Sequence, residues 1–230
     1  MKAINKKLGL LAICAGALTL VACGGDSATV PLTVRGVVAT GLAIEGGSVV
    51  VDCVSGTGTA PTLANGSYSV TIQNGQGPCL VTVTKGAVVL RSMSLQTTSG
   101  TAVANVTPFS NAIVNALVTA KGAGTVSGLI NSATAPSNSD LTAAVSAVVA
   151  QINVALIAQS QPPLDPNTDL LGKADYVAAT TASPGIGDAV DKALDFLVTG
   201  TTLPPTLVTA INQATDTVVD PTPTGGTGGF

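Results

Sequence analysis

The period of the sequence changes near residue 107, and that change does most to limit what the chain can fold into. Before it, Val- and Thr-rich runs at residues 32–39, 47–54, 66–72, 79–84, 87–96 and 101–106 alternate with Gly and Pro. Strand-length runs at this spacing predict a small antiparallel β-sandwich. Asn65-Gly66 supplies a tight turn, and an alternating pattern then puts Tyr68, Val70 and Ile72 on one strand face. After residue 107 the steps become three and four, as in Leu141, Val145, Val148, Ile152 and Leu156, the spacing of a helix face. Thr107-Pro108 offers an N-cap and a first-turn proline, opening a helix over 109–120. Ser139 or Asp140 is expected to cap the longer helix, and the segment from Gln159 to Pro163 ends it. Further helices are expected over 169–179, 186–198 and 205–218. The expected fold is therefore α+β: a sandwich over 30–106 followed by an α-helical domain over 107–219. The tail, 220–230, is too rich in Pro and Gly to pack and is expected to be mobile.

Composition narrows the function classes. Only 9% of residues are charged and 2% aromatic, while 46% are hydrophobic, mostly Ala and Val. Disorder needs few apolar residues and high net charge, so this is the composition of a folded, sparingly charged extracytoplasmic protein. The formal charge is -3 with nine basic residues, three of them Lys2, Lys6 and Lys7. Without those three, six basic residues face twelve acidic ones, a formal -6. There is no basic stripe, and Tyr68, Tyr176, Phe109, Phe196 and Phe230 are the only rings available for stacking, which argues against nucleic-acid binding.

Residues 1–22 have the three parts of a secretory leader. The three lysines form a positive start, and residues 8–20 form an apolar stretch of thirteen, short of the roughly twenty needed to span a bilayer core. Leu20-Val21-Ala22-Cys23 follows, and it resembles the lipobox of bacterial lipoproteins. That resemblance implies cleavage before Cys23, acylation of its thiol and of the new amino terminus, and a tether over 23–29. Each buried methylene contributes about 0.8 kcal/mol, so more than one acyl chain anchors stably without a transmembrane helix. Gly24 stands where an Asp tends to retain Gram-negative lipoproteins in the inner membrane. In such a host the resemblance implies an outer-membrane location. The rival readings are an ordinary leader with an incidental cysteine and an uncleaved anchor.

The four cysteines then separate. Cys14 leaves with the leader and Cys23 takes the lipid. Cys53 and Cys79 remain, one pair in a compartment that favours disulfides, where closing a loop of this length stabilises by roughly 3 kcal/mol. A redox or metal pair is the alternative, but the spacing is not CxxC-like and the chain has no histidine.

Val34-Arg35-Gly36-Val37-Val38, Ile44-Glu45-Gly46-Gly47-Ser48-Val49-Val50-Val51 and Asn65-Gly66-Ser67-Tyr68-Ser69-Val70 together resemble the carboxypeptidase regulatory-like, transthyretin-type β-sandwich. The resemblance covers residues 30–106 and implies a spacer, stabiliser or binding module with no catalytic residue. Asn105-Val106-Thr107-Pro108-Phe109-Ser110 followed by helices is similar to Gram-negative envelope lipoproteins that join such a sandwich to a helical region.

Catalytic equipment is scarce. Without histidine there is no usual hydrolytic triad and no common zinc site. No Ser-x-x-Lys occurs, and Gly185-Ile-Gly187 is explained by helix entry. Glu45 is the only glutamate, and Asp188, Asp191 and Asp195 read as a solvated helix face beside Lys192. Asp165-Pro166-Asn167-Thr168-Asp169 matches the first half of a calcium loop, then fails, with Leu170 in place of the glycine and Tyr176 in place of the bidentate glutamate. A turn that caps the next helix is the plainer reading. The sequence therefore predicts no catalytic residue, no cofactor and no metal beyond that weak calcium candidate. It predicts an envelope lipoprotein with a structural or protein-interaction role. The alternatives are a glycan- or polymer-binding module and, behind it, an enzyme of unfamiliar type.

Overall fold

The computed structural model describes residues 30–181 and 187–219. Seven strands come first: β1 Leu32–Val37, β2 Ser48–Ser55, β3 Thr57–Pro61, β4 Ser67–Ile72, β5 Gln76–Lys85, β6 Val88–Met93 and β7 Gly100–Val103. Helices α1 Pro108–Ala120, α2 Asn138–Ala158, α3 Ala189–Leu197 and α4 Pro205–Val219 follow, with a short 3₁₀ helix at Val126–Ile130. The protein is mixed α+β. The leader, Cys23, the 23–29 tether, Gly185 and the 220–230 tail lie outside the described residues.

The strands form two sheets, ordered β4-β1-β7 and β3-β2-β5-β6. Alternation places Leu32 and Val34 of the first sheet and Val49, Val51, Val81 and Val83 of the second in one buried cluster. Tyr68, Val70 and Ile72 are each 3% exposed in that cluster, as their shared face predicts. Tyr68 lies opposite Gly36 across β4 and β1, and its hydroxyl donates to the Ala104 carbonyl at 2.5 Å. A side chain at Gly36 would run into that carbonyl, so only glycine admits this ring and its bond. Burial pushes the Tyr68 phenol well above its ordinary pKa, keeping it a donor.

Two strand expectations need correction. The sheets are not wholly antiparallel: β1 pairs with β7 in parallel, Val34 beside Ala102. The chain leaves β6 in one sheet and enters β7 in the other, so β7 arrives in the same direction as β1. The pattern also misses β3, which pairs antiparallel with β2 at the sheet edge. Its sequence, Thr-Gly-Thr-Ala-Pro, lacks a run of large apolar residues. Gly58 is bare because the Val70 side chain fills that space, 2.5 Å from where a Cβ would sit.

The helices start where local capping dictates. Thr107 Oγ1 accepts from the Ser110 amide at 3.2 Å, and Ser110 Oγ accepts from the Thr107 amide at 2.8 Å, a reciprocal box. For α2 the cap is Ser137 rather than Ser139 or Asp140. Ser137 Oγ accepts from the Asp140 amide while Asp140 Oδ2 accepts from the Ser137 amide, so Asp140 acts from the third helical position. Lys121 pairs with Asp140 at 3.1 Å. No helix forms over 169–179, because Asp169 turns the chain and Tyr176 to Ala179 run without helical bonding against α3. The helix expected from 186 begins at Ala189, capped by Asp188.

The two halves meet in a packed junction. Leu80 and Met93 sit opposite each other on β5 and β6, on the sheet face turned away from Val81. They join Phe109, Ile113, Leu117, Leu141 and Ile152 in a second buried cluster. Asn105, 3% exposed, ties the junction with three bonds. Its Oδ1 accepts from the Val37 amide at 3.1 Å, its Nδ2 donates to the Lys173 carbonyl at 2.8 Å, and its amide donates to the Leu171 carbonyl at 2.7 Å.

Candidate functional site

Cys53 and Cys79 form a disulfide. They are directly opposed on β2 and β5, with side chains turned into the cluster between the sheets, 7% and 0% exposed. The bond closes a sequence separation of 26 residues. Buried this deeply it is a staple, screened from exchange with other thiols.

A cleft of about 200 Å³ opens at the junction of the two halves. Leu95 after β6, Val103 at the end of β7, Leu141 and Val145 on α2, and Leu171 form its apolar floor. Thr142, Ser146, Asn167, Thr168 and Asp169 form its polar rim. Two members of the calcium half-loop, Asn167 and Asp169, therefore stand on this rim, while Asp165 does not line the cleft. One oxygen of each of the two aspartates serves the backbone. Asp165 Oδ1 accepts from the Asn167 amide at 2.8 Å. Asp169 Oδ1 accepts from the Leu171 and Gly172 amides at 3.0 and 2.8 Å. These are turn bonds of the Asx kind. Among the described residues no three carboxylates or thiols stand together as a metal set. The Thr142 hydroxyl donates to the Asn138 carbonyl at 2.9 Å, and no cysteine, lysine or arginine lines the cleft. What this arrangement can do is admit a small apolar group and hydrogen-bond its polar edge.

The carboxylates of α3 correct the expectation of a solvated face. Asp191 is fully buried. Its Oδ2 accepts from the Ala179 amide at 3.0 Å and its Oδ1 from the Tyr176 hydroxyl at 3.3 Å. Burial pushes the Asp191 pKa up to about 6. The Ala179 amide and the Tyr176 hydroxyl act downward, and the charges of Asp195 and Asp188 act upward. Asp188 caps α3, accepting from the Val190 and Asp191 amides at 2.9 and 3.0 Å. Its other oxygen lies 3.0 Å from Lys173 Nζ. Lys173 also holds Asp175 at 2.7 Å. Burial works against its charge, but the two carboxylates prevail and raise its pKa. The group thus fastens the segment after Asp169 to α3. It is a structural tie, and only its capping member, Asp188, carries a recognisable sequence signal.

Compared with known proteins, the chain matches no family model, no curated protein and no solved structure. Function must therefore be argued from the residues themselves.

Proposed function

We propose that this chain is a non-enzymatic lipoprotein of the cell envelope, tethered through Cys23, with a structural or protein-interaction role. In this reading residues 30–106 are a sandwich of the carboxypeptidase regulatory-like type and residues 107–219 a helical domain that packs on it. The observation that carries the reading is the buried Cys53–Cys79 bond. A stapling disulfide belongs to an oxidising compartment, the destination implied by the leader and by Leu20-Val21-Ala22-Cys23. The interaction role draws support from the junction cleft, which offers apolar side chains and hydrogen-bonding groups in one lining. The glycan-binding alternative has less support, because the Tyr68 ring that a sugar platform would need is 3% exposed.

Intact mass of the full chain, extracted from membranes of cells expressing it, tests the proposal. The expected result is a chain starting at Cys23 with added acyl mass, and two further thiols that alkylate only after reduction. An unlipidated chain, or free Cys53 and Cys79, would overturn it. Robust turnover on a broad hydrolase panel would overturn the non-enzymatic part.

A further inference from the structure

Helix α2 is apolar on two opposite faces, and only one of them is covered. Leu141, Val145, Val148, Ile152 and Leu156 are buried against the rest of the helical half. On the outer side Ala143, Ser146, Ala147, Ala150, Val154 and Ile157 recur at steps of three and four. Val154 and Ile157 are 65% and 61% exposed, among the most exposed large hydrophobics described. From Leu141 to Ala158 the helix carries no charged residue. A helix with apolar residues all round is normally enclosed on all sides.

We propose that a second copy of this chain covers this face, as an antiparallel pair of α2 helices related by a twofold axis at Ala150. The side chains grade from small at the start of the stripe to large at its end, and the grading is balanced about residue 150. Ala143 and Ile157 each lie seven residues from Ala150, and Ser146 and Val154 each lie four. An antiparallel twofold therefore seats Ile157 over the partner copy's small position 143, and Val154 over its position 146. Large meets small at every level, and two Ala150 residues at the axis let the backbones approach. A parallel pair would instead crowd large on large at one end and leave a gap at the other. Such self-complementarity is the requirement for an isologous interface.

Charge points to the same occupant. The chain is acidic, formally -6 without Lys2, Lys6 and Lys7, and its copies repel least through a surface without charge. A helix that lies on a membrane surface carries Lys or Arg along its polar flank, and α2 has neither. The stripe from 143 to 157 runs about 21 Å. One helix stripe of this length makes a small contact, at the weak end of specific interfaces.

Cysteine cross-linking of the full chain in the membranes of expressing cells tests this, read as a doubling of mass on non-reducing gels. Ala150→Cys should cross-link to itself. Ala143→Cys alone and the unsubstituted chain should not, while Ala143→Cys co-expressed with Ile157→Cys should. Adding Val154→Asp to Ala150→Cys should remove the cross-link while the far-ultraviolet circular dichroism of the purified chain keeps the parent's helix signal. Absence of an Ala150→Cys dimer would overturn the proposal. So would self-linking of Ala143→Cys, which marks a parallel pair, or linking of Ala150→Cys to a different protein. This inference supplies a partner for the interaction role proposed above. The mass experiment tests the anchor and the cross-linking tests the seam, so each can fail without the other.

Discussion

The two halves of the molecule are held together by different chemistry. The β half relies on period-two burial of small branched residues and on one covalent bond between opposed positions, Cys53 and Cys79. The helical half has no such bond among its described residues. It packs Ala, Val and Leu around Phe109, Ile113 and Ile152, and its irregular segments are tied by buried polar side chains, Asp191 for residues 176–179 and Asn153 for Leu164. The first kind of half fails when its staple is cut. The second should respond to cavities, to pH and to the loss of single caps.

Phe109 offers the largest test, because it is fully buried where α1 meets Leu80 and Met93 of the sheet. Phe109→Ala should cost about 3–5 kcal/mol. Because the cluster spans both halves, chemical denaturation followed by near- and far-ultraviolet circular dichroism should still show one shared transition at lower denaturant. Two separated transitions would mean that the halves are energetically independent. The next largest effect belongs to the staple. Cys53→Ala/Cys79→Ala should lose about 3 kcal/mol by freeing a 26-residue separation in the unfolded chain. The double variant should be indifferent to reductant, whereas the parent loses stability when reduced. Equal sensitivity in both would contradict a structural role for the bond.

How far the sequence could be read follows the same division. In the β half, alternation placed six of the seven strands, and Asn65-Gly66 before Tyr68 located the buried face. The miss was β3, because Thr57-Gly58-Thr59-Ala60-Pro61 offers only small or polar side chains and no alternation of large apolar residues to read. In the helical half, Thr107-Pro108 and the Leu141-to-Leu156 steps were legible. Long-range polar bonds were not. Asp188, Asp191 and Asp195 have the spacing of a solvated face, and only the distant Ala179 amide and Tyr176 hydroxyl make Asp191 an interior residue. Asp169 was visible as an oxygen ligand or a cap. Its actual work, bonding the Leu171 and Gly172 amides, diverts the chain from the helix that propensity favours. The junction cleft draws its walls from both halves and has no local signature.

Asp191 gives the helical half a pH dependence that the staple cannot have. Its folded pKa, about 6, lies above the ordinary carboxylate value of 3.8, so the folded state holds its proton more tightly than the unfolded chain does. The stabilisation is present in full below pH 4 and is lost as pH rises from about 4 to 6, on the order of 3 kcal/mol. Tyr176, Asp188 and Asp195 face this carboxylate, and Lys173 balances Asp188. Asp140 acts in the opposite sense. Burial raises its pKa, but the Ser137 and Lys121 bonds prevail and lower it. Its contribution is present above the ordinary carboxylate range and disappears on further acidification. Asp191→Asn should therefore flatten the decline between pH 4 and 6 in denaturation midpoints, leaving any loss at lower pH in place. An unchanged slope would remove Asp191 as its source.

The smallest effect should come from Thr107, at the boundary between the halves. Its side chain satisfies the Ser110 amide at the start of α1, and Ser110 Oγ donates in turn to the Arg91 carbonyl of β6 at 2.8 Å. The cap is therefore also a link to the sheet. Thr107→Ala should cost about 1 kcal/mol, and Thr107→Ser should recover most of it. Thr107 is 1% exposed, so a loss that serine fails to recover would assign the residue's contribution to methyl packing. If serine does recover it, the change from strand to helix near residue 107 is set by a hydroxyl.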